Sequence, residues 1–214
     1  MDLVLPCLNE AGALPWVLQR VPAGMRAIVV DNGSSDGSAE VARACGALVV
    51  ECRQHGYGAA CHAGAQAATA ELVAFCDCDA TIDPGVIATM AQLILDGHAE
   101  LVVARRRPTT RQAWPLHARL ANRELARRVR RRTGVPLTDL GPLRVARREP
   151  YLALGITDRA SGYPAETVVR AADAGWRIVQ TDVAYLPREG RSKVTGTLRG
   201  TLGAVRDMSA VLSR

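Results

Sequence analysis

Ala27-Ile28-Val29-Val30-Asp31-Asn32-Gly33-Ser34-Ser35-Asp36-Gly37 runs from an apolar strand signal straight into an acidic, glycine-containing turn. Leu72-Val73-Ala74-Phe75-Cys76-Asp77-Cys78-Asp79 makes the same transition further along. Short unbroken apolar runs of this kind read as strands covered on both faces, which is the habit of parallel sheets. In an open α/β sheet, ligands collect beyond the carboxyl ends of the strands. Two carboxylate clusters at that edge make a cradle for a sugar, a ribose or a cation. Their own charge opposes a bare diphosphate, so a divalent metal is the natural mediator.

Outward from these two stretches, strand and helix signals alternate. Leu3-Val4-Leu5 reads as a first strand, and Leu14, Val17, Leu18 and Val21 recur at helical spacing. After the second strand, Ala27 to Val30, one of Ser34, Ser35 or Asp36 is placed to cap a helix through Cys45. Ala47 to Val50 is a third strand, and a small-residue helix follows from about Gly58 to Thr69. Asp83-Pro84 opens a helix with Val86, Ile87, Met90, Leu93 and Ile94 on one face, and Leu101 to Val103 forms a fifth strand. This order predicts an α/β fold: a Rossmann-like, mostly parallel sheet with helices on both faces. Near Arg105 the pattern becomes less regular. We expect one domain over 1–214, with a nucleotide-binding half at 1–104 and an acceptor half at 105–214. The second half carries predicted helices at 114–132 and 165–176, and a strand pair at Ile178-Val179 and Val183-Ala184-Tyr185.

Composition narrows the class. The chain has 214 residues, 48% of them hydrophobic, enough for a substantial core. The first residues lack the basic head and long apolar stretch of a secretory signal, and no apolar run approaches the ~20 residues needed to cross a bilayer. The expectation is a cytoplasmic protein, with peripheral contact to a membrane face as an option. None of the six cysteines forms a C-x-x-C pair, so reduced thiols packed as small apolar groups are expected rather than structural zinc. The net charge is +6, and eleven arginines fall between Arg105 and Arg132. In that segment Trp114, Ala118, Ala121, Leu125 and Val129 make a narrow apolar stripe bordered by arginine, as in an interfacial helix; a surface helix packed on the core by the same stripe is the competing reading. Nucleic acid is not expected, because aromatic residues are only 4% of the chain and stacking platforms are scarce.

Several motifs compete. Asp77-Cys78-Asp79 is a D-x-D pattern whose hard oxygens suit Mg2+ or Mn2+. Gly33-Ser34-Ser35-Asp36-Gly37 also fits a nucleophile elbow with Ser35 as nucleophile, though only one strand precedes it. Gly56-Tyr57-Gly58 begins like a dinucleotide fingerprint but lacks the third glycine; it reads as a loop bringing backbone near a ligand, or as a helix start. Arg188 and Gly190-Arg191-Ser192-Lys193 form a basic segment suited to a diphosphate.

Taken together these residues resemble the family 2 glycosyltransferases of GT-A fold. Pro6-Cys7-Leu8-Asn9-Glu10 is similar to their P-x-x-N-E opening, and Val29 to Gly37 to V-V-D-D-G-S-x-D-G with Asn32 in place of the second acid. Asp77-Cys78-Asp79 is similar to their D-x-D, and Val103-Ala104-Arg105 to a later G-S-R. Gly190 to Lys193 resembles the G-x-S-K loop of the polyprenyl-phosphate (dolichol-phosphate) sugar synthase branch, and Thr138 to Arg144 a shortened D-x-x-S-G-F-R. The resemblance implies inverting transfer from a nucleoside diphosphate sugar. It places Pro6, Glu10 and Asp31 at the nucleoside, Asp77 at ribose or sugar and with Asp79 at a Mg2+ or Mn2+ ion, and Arg105, Arg188 and Lys193 at phosphates. The acceptor would be a polyprenyl phosphate or another phosphorylated molecule. A phosphate acceptor needs no general base; a hydroxyl acceptor does, with Asp139 or Glu166 as candidates and Asp139 preferred. Nucleotidyl transfer onto a sugar phosphate and non-catalytic binding to an anionic surface are the alternatives.

Overall fold

The computed structural model describes residues 1–188 and Met208. Its centre is a seven-stranded sheet in the order β3-β2-β1-β4-β6-β5-β7. The strands are β1 (Asp2–Cys7), β2 (Arg26–Asp31), β3 (Leu48–Glu51), β4 (Leu72–Phe75), β5 (Leu101–Pro108), β6 (Arg144–Arg147) and β7 (Ile178–Tyr185). Every strand runs in one direction except β6, which is antiparallel to both β4 and β5. The mostly parallel α/β sheet expected from the sequence is present.

Side chains alternate across the sheet even where every residue is apolar. Leu3, Leu5 and Cys7 of β1, Val29 of β2 and Ala74 of β4 face one core. That core is closed by α1 (Leu14–Leu18), α2 (Ser38–Ala44) and α4 (Ile87–Leu95), through Leu14, Val17, Ala42, Ile87, Met90 and Ile94. Val4, Ile28, Val30, Val73 and Phe75 face the other. There α3 (Tyr57–Ala67), α5 (Leu116–Thr133), α6 (Arg148–Ala153) and α7 (Tyr163–Asp173) close the layer. The small-residue character of α3 has a steric cause: a Cβ on Gly64 would lie 2.2 Å from Val4 Cγ1. Cys7, Cys61, Cys76 and Cys78 are free thiols buried in these cores.

Several expectations are corrected. The anticipated strand pair after residue 178 is one continuous strand, β7, pairing in parallel with β5 from Leu101↔Ile178 to Pro108↔Tyr185. Its polar middle, Gln180-Thr181-Asp182, is tolerated because β7 is an edge. The inserted strand β6 is absent from the sequence reading; its Val145 and Ala146 are flanked by Arg144 and Arg147, which mask a four-residue strand. Helix α2 begins at Ser38 with Gly37 as its cap residue at φ 84°; of the three expected caps, Asp36 serves, its Oδ1 accepting from Ser38 N at 3.0 Å. Asp83 does accept from Gly85 N at 2.8 Å, and Pro84 opens a short 3-10 turn, Pro84–Val86, ahead of α4. The stripe on α5 is spent inward, with Ala118, Leu125 and Val129 buried, so it packs on the sheet and does not form a lipid-facing seam. Among the described residues, no helix is long and apolar enough to cross a membrane.

Candidate active site

Parallel register brings the carboxyl ends of β1, β2 and β4 to one edge. Cys7 lies opposite Asp31 and Val4 opposite Phe75, so the loops holding Glu10, Asp31, Asp77 and Asp79 leave the sheet side by side. The first two loops are stitched together. Asn9, at φ 55°, accepts from Ser35 N at its Oδ1 over 2.7 Å while its own main-chain amide donates to Ser34 Oγ at 2.9 Å. Glu10 N donates to Ser38 Oγ at 2.9 Å, and Ala11 N to Asp36 Oδ2 at 3.1 Å. Ser34 and Ser35, expected as helix caps, hold the neighbouring loop instead, while Asp36 does both, its other oxygen accepting from Ser38 N at the start of α2. The Ser35 hydroxyl also turns to Asn9 Oδ1, at 3.4 Å, which gives the elbow serine a structural partner. Asp31 folds back to accept from Ser34 N at 3.3 Å.

After β4 the chain turns sharply at Ala80, a non-glycine residue at φ 60°. That conformation is costly and persists where surroundings enforce it. Here Asp79 Oδ1 accepts from Thr81 N at 3.2 Å and Thr81 Oγ1 at 2.6 Å, and Thr81 O accepts from Leu186 N at 2.8 Å. The other oxygen, Asp79 Oδ2, takes Arg188 Nη1 at 2.8 Å, and Arg188 Nη2 reaches Glu10 Oε1. One guanidinium therefore bridges the turn after β4 and the loop after β1. Removal from solvent, then the charge of Asp79, pushes the Asp77 carboxyl up to about 6, against the pull of Arg144, Arg106 and Arg188. Among the described residues no three His, Cys, Asp or Glu side chains converge as a metal cage. The donor set is instead an acidic pair, with one oxygen already turned to a cation.

The remaining expected residues are placed as follows. Pro6 lies in β1 and accepts from Cys78 Sγ at 3.0 Å, tying β1 to the D-x-D turn. Arg105 is paired with Asp182 on β7, as is Arg107, at 2.8 Å, so both point to the face of that edge. Asp139 is not open to a substrate: its side chain is 3% exposed and its oxygens receive Arg106 N at 2.7 Å, Nε at 3.0 Å and Nη2 at 2.7 Å. Glu166 is likewise closed, accepting from Thr157 N, Asp158 N and Arg170 Nε. Gly56 and Gly58 make a helix start, not a ligand loop. A Cβ at Gly56 would meet Arg159 O at 2.1 Å, and Gly58 N and Ala59 N donate to Ala160 O and Arg159 O. Lys193 and the rest of its loop lie outside the described residues.

Two arginines escaped the sequence reading as site residues. Arg106 stands on the opposite face of β5 from Arg105, 3.9 Å under the Trp114 ring and 5.5 Å from Tyr185, and its charge acts on Asp77. Period-two alternation through Pro108 would have separated it from its neighbours, had the strand not been ended at Val103. Arg144 is fully buried behind Asp77, donating to Tyr57 OH at 3.3 Å, with its Nε lacking a partner.

Comparison with known proteins places this geometry. The family model described as "Glycosyl transferase family 2" matches residues 2–155. A Mycobacterium tuberculosis (strain ATCC 25618 / H37Rv) protein described as an uncharacterized glycosyltransferase is 50% identical over 214 residues, 100% of this chain and 98% of that one. A dolichyl-phosphate hexose transferase of Haloferax volcanii is 30% identical over 198 residues, 91% of this chain and 86% of that one. Among solved structures, glucosyl-3-phosphoglycerate synthase from Mycobacterium tuberculosis, in complex with Mn2+, uridine diphosphate and glucosyl-3-phosphoglycerate, superposes with a TM-score of 0.78 at 24% identity. The match covers 99% of this chain and 77% of that one and establishes a shared GT-A fold.

Proposed function

Because the chain belongs to glycosyl transferase family 2, we propose that it transfers a sugar, with inversion, from a nucleoside diphosphate sugar to a phosphorylated acceptor. The observation that carries this reading is the acidic edge itself: Asp31, Asp77 and Asp79 at adjacent strand ends, with the Arg188 guanidinium spanning Asp79 and Glu10. Pro6, Glu10 and Asp31 line the nucleoside side, and Asp77 faces ribose or sugar. Asp79 with Asp77 would hold Mg2+ or Mn2+. The fit is chemical: hard carboxylate oxygens, one of them, Asp79 Oδ2, already turned to a cation. A bound divalent ion would neutralise charge building on the departing diphosphate.

The protein's own contribution is positional and electrostatic. Arg188, and Lys193 beyond the described residues, supply positive charge for the leaving nucleotide. Arg106 and Arg144 surround Asp77 with positive charge from beneath. Neither candidate base is open to a substrate, Asp139 being held by Arg106 and Glu166 by Thr157, Asp158 and Arg170. That favours an acceptor already ionised near neutral pH, which a phosphate monoester is, with its second pKa at about 6. Asp139 is then a positioning residue for Arg106. The Haloferax relative's name includes a dolichyl phosphate and the mycobacterial structure holds a phosphoglycerate product, both phosphorylated. For a lipid acceptor, the first turns of α5 offer a docking point, since Leu116 and Leu120 are 68% and 57% exposed beside Arg119 and Arg123.

The test is a thermal-shift panel of nucleoside diphosphate sugars with and without Mn2+, followed by turnover with phosphorylated and unphosphorylated acceptors. A metal-dependent rise in Tm for one donor, and transfer only to phosphorylated acceptors, are expected. No shift for any donor, or equal transfer to a plain alcohol, would overturn the assignment.

A further inference from the structure

We propose that Asn32 is a positioning residue for the nucleobase of the donor, acting through the 52–56 loop, and that its amide cannot be exchanged for a carboxylate. The inference rests on the donor reading above. Asn32 follows directly on Asp31 at the end of β2 and is buried. Its main-chain amide donates to Cys7 O at 2.9 Å, so its place beside β1 is fixed. Its side chain then holds the next loop at three points: Nδ2 donates to Cys52 O at 3.1 Å and to Gln54 O at 2.7 Å, and Oδ1 accepts from Gly56 N at 2.8 Å.

Only a carboxamide offers two donors and an acceptor on one planar head. A carboxylate would turn an oxygen toward two carbonyl oxygens with no proton to offer, in a buried place where unpaired polar groups are expensive. Asn32 is thus turned to the protein and away from any ligand. The loop it holds carries His55 across the acidic turn. A Cβ on Gly33 would lie 3.1 Å from His55 Cε1, so the ring rests on Gly33 while the residue remains exposed. Gly33 adopts φ 92°, which a side chain would strain further. The imidazole lies against Gly33, two residues after Asp31, and would offer a heteroaromatic base a surface to stack on. Asn32 sets the height of that surface.

Three variants test this: N32D, N32A and H55A. Binding of uridine diphosphate and of guanosine diphosphate, each with Mn2+, is measured by calorimetry, together with Tm and with KM and kcat for the matching sugar donor. Wild type should bind one of the two nucleotides. N32D and N32A should each weaken that binding and raise the donor KM by about tenfold or more, with kcat within about twofold. H55A should weaken binding similarly while leaving Tm unchanged, which a merely structural role for the loop would not produce. If N32D does not fold, H55A decides alone. Wild-type affinity in H55A, or a fall in kcat at constant KM in N32D, overturns the inference. A wild-type protein that binds neither nucleotide overturns the donor reading and this inference with it.

Discussion

Arg188 Nη1 donates to Asp79 Oδ2 over 2.8 Å, linking the turn after β4 to a residue 109 positions later. That oxygen can face the guanidinium or a divalent ion, and the same arginine also engages Glu10. Removing the guanidinium leaves two carboxylates without this counter-charge. Arg188→Ala should therefore tighten Mn2+ binding in the absence of nucleotide, by about fivefold, because a competing cation has gone. In the proposed reaction turnover should fall by about 10²-fold, because the donor proposed for the leaving phosphate has gone too. Titration of Mn2+ by electron paramagnetic resonance reads the first effect and product formation the second. Weaker Mn2+ binding in the variant would show that Arg188 organises the metal site instead of competing for it.

The pairing of Arg106 with Asp139 separates two jobs that one carboxylate could have. The arginine is sandwiched beneath Trp114, with a side chain 14% exposed, and both Asp139 oxygens are committed to it. Truncating one member of such a pair strands the other charge, at a cost of about 3–5 kcal/mol. Asp139→Ala should lower the unfolding free energy by that amount in urea, with loss of activity following loss of Arg106 placement. A general base predicts the opposite pattern, in which stability is retained and kcat collapses.

How much of this was legible in the chain depends on what each residue faces. Asp31, Asp77 and Asp79 could be read because apolar strands deliver them to one sheet edge, and sequence shows where such strands stop. Arg106 could not, because a run of three arginines hides the alternation that sends Arg105 and Arg107 to Asp182 and Arg106 to Asp139. β6 was invisible for a related reason: its inward Arg144 is buried by tertiary packing against Phe75 and Tyr57, which no local pattern announces. Asn32 looked like a lost carboxylate at a ligand, and the 52–56 loop that it binds is known only from the fold.

Acid sensitivity should arise in part at the opposite end of the sheet. Burial works to raise the Asp2 carboxyl, but the Arg26 side chain and the amides of Ala70 and Thr69 outweigh it and hold the group below its ordinary value. A depressed carboxylate contributes stability that is present above its unfolded pKa, about 3.9, and is lost as pH falls through the lower folded value. Asp2→Asn should lower Tm at pH 7 and make the further loss of Tm below about pH 4 shallower than in wild type. Parallel curves for the two proteins would remove Asp2 from the acid transition.

The exposed pair Leu116 and Leu120 tests whether the acceptor is presented from a membrane. The two are four residues apart and so share one side of α5, away from the buried Ala118, Leu125 and Val129. Arg119 and Arg123 are exposed on the same turns, so this end of the helix combines apolar reach with positive charge. Because both leucines are already in solvent, Leu116→Ser with Leu120→Ser should leave Tm within about 1–2 °C of wild type. Binding to vesicles containing anionic phospholipid should fall severalfold, since each leucine inserted contributes about 1.5–3 kcal/mol at full burial and less at an interface. Turnover with a water-soluble phosphorylated acceptor should not change, while turnover with a polyprenyl phosphate in the same vesicles should drop with binding. Equal vesicle binding by variant and wild type would detach this surface from the acceptor. A phosphorylated acceptor of the proposed reaction would then have to reach the site from solution.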